Sequence, residues 1–126
     1  MRSVIYSLVI LLLIVGLIIY SSYYVGKTAN DLAYGMEDII KSAEEDDWNK
    51  VTEVNNQNIE KWYKASKKYS WIFHHDEIDA ISIHMEELDK YIMMEEKTDV
   101  LATAGSLRFL FEHLPKRNQL NWENIL

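Results

Sequence analysis

Apolar residues fall along this chain in two regimes. From Val4 to Tyr20 (VIYSLVILLLIVGLIIY) they are nearly continuous, and no charge occurs between Ser3 and Val25. After Gly26 they recur every third or fourth residue among charged neighbours. The first regime predicts a helix that is apolar on all sides. As a helix, Ser3 to Val25 spans roughly 35 Å at about 1.5 Å per residue, and a bilayer core needs about 20 such residues. The many Val and Ile do not oppose this, because lipid forces backbone hydrogen bonds to close within the segment. Tyr20, Tyr23 and Tyr24 stand where an interfacial aromatic belt would lie. A cleaved signal peptide would carry a shorter apolar run, roughly 7–15 residues, ending in a small-x-small site. Here Ile19 or Tyr20 would occupy the specificity position of such a site. The reading is an uncleaved transmembrane anchor over 1–25 and a helical domain over 26–126.

The second regime predicts four helices by apolar spacing. The first covers Thr28 to Glu45, with Leu32, Met36, Ile39, Ile40 and Ala43 on one face, and it can run on from the membrane segment because only Gly26 intervenes. The second starts at Asp47 as N-cap and buries Trp48, Val51, Val54, Ile59, Trp62 and Tyr69. Its middle, Asn55-Asn56-Gln57-Asn58, is polar, and Lys61, Lys64, Lys67 and Lys68 make a basic outer face. The third takes Asp76 as cap and carries the seam Ile78, Ile81, Met85, Leu88 and Ile92. The fourth is capped near Thr98 or Asp99, repeats that spacing at Val100, Ala104, Leu107, Phe111 and Leu114, and stops at Pro115. Asn121 then caps a last turn that docks Trp122, Ile125 and Leu126.

The fold class that follows is all-α: an N-terminal transmembrane helix and a small antiparallel four-helix domain made of two helical hairpins. Glu44-Glu45 and Glu95-Glu96 mark matching helix ends, a loose internal likeness without a tetratricopeptide signature or period. Gly35 and Gly105 lie inside helices at a cost of about 1 kcal/mol each, which close helix–helix approach would offset.

Composition changes this picture mainly by exclusion. The net charge of -7 disfavours nucleic acid, whose phosphates need a basic face. With no cysteine there is no disulfide, thiolate zinc site or thiol nucleophile. One proline and four glycines argue against a turn-rich β protein. Two positive groups, the amino terminus and Arg2, precede the apolar run and Lys27 follows it. The positive-inside rule then puts the amino terminus in the cytoplasm and the domain outside.

Chemistry-bearing residues are few. His74, His75, Asp76 and Asp79 could offer nitrogen and oxygen ligands to a divalent metal, with His75, Asp76 and Asp79 as the core of the set and His113 as a further member. No H-E-x-x-H spacing fixes their geometry, and a solvated helix cap explains the same residues. The acids Asp76, Glu77, Asp79, Glu86, Glu87 and Asp89 read as a solvated face rather than an acid–base pair. No Ser/His/Asp order or glycine-rich phosphate loop occurs, so the chain reads as a non-enzyme without cofactor. Trp48, Trp62 and Trp122 suit a core. Trp71-Ile72-Phe73 beside His74 and His75 forms an interaction corner instead, fit for a partner or the membrane surface.

Several stretches together resemble a family of short single-pass proteins from clostridial bacteria, the domain of unknown function 4363. They are the apolar leader after Met1-Arg2, Glu45-Asp46-Asp47-Trp48, Lys61-Trp62, Trp71-Ile72-Phe73, His75-Asp76-Glu77-Ile78-Asp79, Phe111-Glu112-His113-Leu114-Pro115 and Asn121-Trp122-Glu123-Asn124-Ile125-Leu126. Gly105, where such helices carry a larger residue, and Leu114, in place of Ile, depart from the pattern. The resemblance implies a membrane-anchored helical protein of a spore-forming anaerobe and no activity. It draws attention to His75–Asp79 and to Glu112-His113, although His113 in a last helical turn is already explained by the dipole.

The expected function is a non-enzymatic interaction or accessory subunit at the bacterial cell or spore envelope. Its partners would be the membrane and a protein, such as a multi-pass membrane protein, with a homo-oligomer as a further arrangement. The alternative is an extracytoplasmic metal- or ligand-sensing domain using His75, Asp76 and Asp79.

Overall fold

The computed structural model describes the backbone of residues 1–125 and the side chains of 1–119 and 123. Four helices account for almost all of it: α1 (Arg2–Glu44), α2 (Trp48–Tyr69), α3 (His75–Met93) and α4 (Lys97–Ile125). They run up and down in turn. α1 packs on α2 and α4, α3 packs on the same two helices, and α1 and α3 lie on a diagonal. The hairpins α1–α2 and α3–α4 are those expected from the apolar spacing.

The long first helix is the main architectural element. Gly26 does not break it, and the same 43-residue helix carries both the apolar leader and one wall of the bundle. One continuous helix avoids exposing the helix-end N–H and C=O groups that a joint would leave without partners. From Val4 to Leu17 its large apolar side chains are exposed, with none of the described side chains covering them. Ser21, Ser22 and Tyr24 are half-buried and Val25 is fully buried, so the bundle begins within the last turn of the apolar segment.

The core explains the spacing. Ala29, Leu32, Met36, Ile39 and Ala43 of α1 are buried, and so are the residues 49 places on: Ile78, Ile81, Met85, Leu88 and Ile92 of α3. The same shift carries Val51, Asn55, Asn58, Trp62, Ala65 and Tyr69 of α2 onto Val100, Ala104, Leu107, Phe111, Leu114 and Asn118 of α4. The two hairpins therefore share one buried register. The matching turns are Glu45-Asp46-Asp47 and Met94-Glu95-Glu96, so the true shift differs by two residues from that between the Glu-Glu pairs. Each turn is a Schellman closure. Asp47 N–H donates to Ser42 C=O at 2.9 Å and Glu96 N–H to Tyr91 C=O at 3.0 Å. The residue between is left-handed in both, with φ 58° at Asp46 and 53° at Glu95.

Several expectations need correction. The cap of α3 is His74 rather than Asp76; Asp76 and Glu77 occupy the first turn, where carboxylates suit the positive helix end. α4 begins at Lys97, ahead of Thr98 and Asp99. It does not stop at Pro115 but continues to Ile125. Phe111, Leu114 and Asn118 on both sides of the proline are buried, and this packing holds the helix across the missing N–H. The last turn is thus part of α4, and the docking of Trp122, Ile125 and Leu126 lies outside the described side chains. Ile59 is exposed, and the polar residues Asn55 and Asn58 take the core positions beside it. Asp47 does cap α2, accepting from Lys50 N–H at 3.2 Å.

The glycines behave differently from each other. A Cβ on Gly35 would lie on the amide of buried Asn58, within 2.5 Å of its Nδ2, so α1 and α2 approach closely there. Around Gly105 nothing stands within 4 Å, and close approach does not account for that residue.

Candidate functional site

At the end of the bundle nearest the apolar leader, α2 turns into α3 through Ser70–His74. Ile72 N–H and Phe73 N–H both donate to Tyr69 C=O, at 2.9 and 2.8 Å. Tyr69 is buried and Phe73, only 4% exposed, packs edge-on against it with ring centres 5.6 Å apart. Trp71 sits between these two anchors and is 91% exposed. The interaction corner read from the sequence therefore divides. Trp71, His74 and His75 face solvent, whereas Phe73 belongs to the core. A period of three or four places the chain in a helix but gives no direction to side chains in a tight turn.

Aromatic and hydroxyl groups tie the corner to α1. Tyr69 meets Tyr24 at 6.0 Å edge-on, and Tyr24 stacks with Tyr20 at 6.3 Å. The Tyr69 and Thr28 hydroxyls share a hydrogen bond. Burial pushes the Tyr69 hydroxyl up to about 12; the Thr28 hydrogen bond pulls it back, and nearby Tyr24 and Asp31 push it further up. Lys68 Nζ lies 4.5 Å above the Tyr24 ring, and Lys67 Nζ lies 4.2 Å above Tyr63.

The metal set does not assemble. His75, Asp76 and Asp79 are exposed on the first turns of α3, with Asp79 one turn on from the other two. Among the described residues, no group of three or more His, Asp or Glu side chains could hold an ion. His113 lies on α4, where its ring stacks on Phe109 at 4.0 Å and Nδ1 lies 2.8 Å from Phe109 C=O. The neighbouring Glu77 pairs instead with Arg117 at 3.0 Å.

Two features were missed by sequence reasoning. The first is a set of polar contacts at core positions. Asn55 Nδ2 donates to Asp89 Oδ1 at 2.9 Å, Trp62 Nε1–H to Ser82 Oγ at 3.0 Å, and Asn118 Nδ2 lies 3.5 Å from Ser22 Oγ. Extending the 3-4 seam of α2 and α4 through its polar members would have found them. The second is an open groove of about 580 Å³ between α3 and α4, lined by His84, Leu101, Gly105, Phe109 and Leu110 among others. Gly105 is part of its lining, and a glycine inside an otherwise regular helical repeat was the available signal.

The fold is that of an all-helical up-and-down bundle built onto one helix long and apolar enough to cross a membrane by length and composition. The family described as Domain of unknown function (DUF4363) matches residues 19–125, and the chain belongs to it. The match starts in the last turns of the apolar leader and takes in the whole bundle. Neither the curated proteins nor the solved structures contain a match.

Proposed function

We propose that the protein is a single-pass membrane protein of the bacterial envelope whose bundle is a non-enzymatic binding module. The observation that carries this is the exposed apolar half of α1, which no described side chain of the bundle covers and which is continuous with the bundle core. An uncovered apolar helix of this length is costly in water and stable in lipid. Polar groups within the bundle support a binding role over catalysis, because Thr28–Tyr69, Asn55–Asp89 and Trp62–Ser82 are used to pair helices. The α3–α4 groove, apolar with His84 at its edge, offers a surface for a helix of a larger membrane protein. The amino terminus lies in the cytoplasm and the bundle outside, following the bias of Arg2 and the terminal amine.

The test is in-cell crosslinking of the tagged full-length protein with mass spectrometry of what is captured. One dominant membrane protein, crosslinked through α3 or α4, is the expected result. Self-crosslinks alone would replace the accessory role with homo-oligomerisation. Orientation follows from Thr98→Cys, a single thiol in a chain without others, reacted in intact cells with a membrane-impermeant maleimide. Labelling places the bundle outside, and protection until lysis reverses the topology.

A further inference from the structure

The Trp71 corner has chemistry suited to lipid. A tryptophan this exposed is unusual on a rigid turn, and here Tyr69 and Phe73 hold it outward from both sides. Its height along the molecule is set by contacts. Tyr69 packs against Tyr24 and Thr28, and Asn118 lies against Ser22, so the turn lies level with the point where α1 leaves the bundle for its apolar half. Tyr20 and Tyr23 are exposed on α1 in the same region. Lys67 and Lys68 end α2 immediately before the turn, and Lys27, Lys116 and Arg117 belong to the same end by sequence. Asp31, Asp76, Glu77 and Asp79 also lie towards this end, with Glu77 paired to Arg117. The opposite end carries Glu44, Glu45, Asp46, Asp47, Glu95, Glu96 and Asp99 against Lys41, Lys50, Lys90 and Lys97, of which Lys97 pairs with Asp46. The molecule thus has an aromatic and lysine-bearing end next to the apolar helix and an acidic end away from it.

We propose that the Trp71 corner is a membrane-docking site: the indole enters the headgroup layer while Lys67 and Lys68 contact anionic lipid phosphates. This rests on the reading of α1 as a membrane helix. Amphipathic rings favour the interfacial layer, and lysines near an anionic surface are attracted to it. The acidic end lies about 30 Å away along α2, beyond a Debye length of about 10 Å, so it meets the repulsion of the anionic surface only when the bundle tilts towards it.

The absence of cysteine makes the test direct. Full-length protein with single nitroxide labels at Leu11→Cys, Ser70→Cys or Thr98→Cys is reconstituted in phosphatidylcholine vesicles with and without phosphatidylglycerol. Collisions with oxygen report lipid, and collisions with a water-soluble nickel chelate report solvent. The expected result is a Leu11 label in lipid, a Thr98 label in water and a Ser70 label shielded from the chelate in the anionic vesicles. Trp71→Ser combined with Ser70→Cys should raise chelate collisions severalfold, and Lys67→Gln with Lys68→Gln should abolish the difference between the two vesicle types. A Ser70 label as wet as the Thr98 label, with the Leu11 label still in lipid, overturns docking and leaves the anchor standing. A wet Leu11 label removes the anchor reading itself. Equal shielding in both vesicle types removes the anionic phosphates from the proposal. Shielding found in native membranes but not in vesicles assigns the corner to a protein partner.

Discussion

Replacing Gly35 with alanine tests the α1–α2 interface more sharply than any other single change. In an exposed helix the substitution would stabilise by about 1 kcal/mol through helix propensity. Here the new methyl would overlap the Asn58 amide, with Cγ at 2.6 Å and Nδ2 at 2.5 Å. Asn58 is itself only 1% exposed, so the amide has no open solvent to swing into. Overpacking of this kind costs about 1–3 kcal/mol. Subtracting the propensity gain leaves a net destabilisation of about 0–2 kcal/mol. For a bundle of this size each such kcal/mol moves Tm by roughly 4–8 °C. The assay is thermal unfolding of the full chain in detergent, followed by circular dichroism and tryptophan fluorescence. Gly105→Ala is the control, since nothing stands near that position, and it should raise stability by about 1 kcal/mol. The pair Gly35→Ala and Asn58→Ala should then couple by about 0.5–3 kcal/mol, because removing the amide makes room for the methyl. It also removes an Nδ2 that has no hydrogen-bond partner. If Gly35→Ala and Gly105→Ala stabilise equally, the close approach of α1 and α2 is wrong.

Alkaline pH should weaken the bundle through Tyr69. Its folded pKa, about 12, exceeds the ordinary value of 10.0, so the unfolded chain gives up this proton first. The contribution is complete below pH 10 and falls by about 1.4 kcal/mol per unit until the folded group ionises near 12. Tyr69→Phe should be less stable near neutrality by about 0.5–1.5 kcal/mol, having lost the Thr28 bond, and its difference from wild type should shrink as chemical unfolding is repeated at rising pH. Pro115→Ala should stabilise by about 1–3 kcal/mol by returning an N–H to the interior of α4; an unchanged denaturation midpoint would show that the helix is relaxed around the proline. Glu95→Gly removes a left-handed residue that has a Cβ and should stabilise by about 1 kcal/mol in the same assay, while a loss would mean that the turn does not adopt φ 53°.

Much of the fold is legible in the order of residues. The uncharged run from Ser3 to Val25 marks a helix apolar on every side, because nothing in it distinguishes one face from another. The 3-4 seams at Ile78–Ile92 and Val100–Leu114 mark the core faces, because a helix repeats every 3.6 residues whatever it packs on. Asp47 is readable as a cap because its oxygen needs only the next turn of its own helix. What stayed hidden depends on partners distant in sequence. Pro115 ends an isolated helix, yet the burial of Leu114 and Asn118 along α1 carries α4 through it. Asn55 and Asn58 look like surface residues until Asp89 and Gly35 are brought against them. Gly35 and Gly105 look alike in sequence, and only the packing of helices makes one a close contact and leaves the other lining a groove. Trp71 and Phe73 differ by two positions in a turn, and the fold sends one to solvent and the other to the core. Periodicity determines which residues share a helix face, since that is a property of one helix. What each face meets is decided by packing between helices, and the corner, the groove and the buried polar contacts all arise at that level.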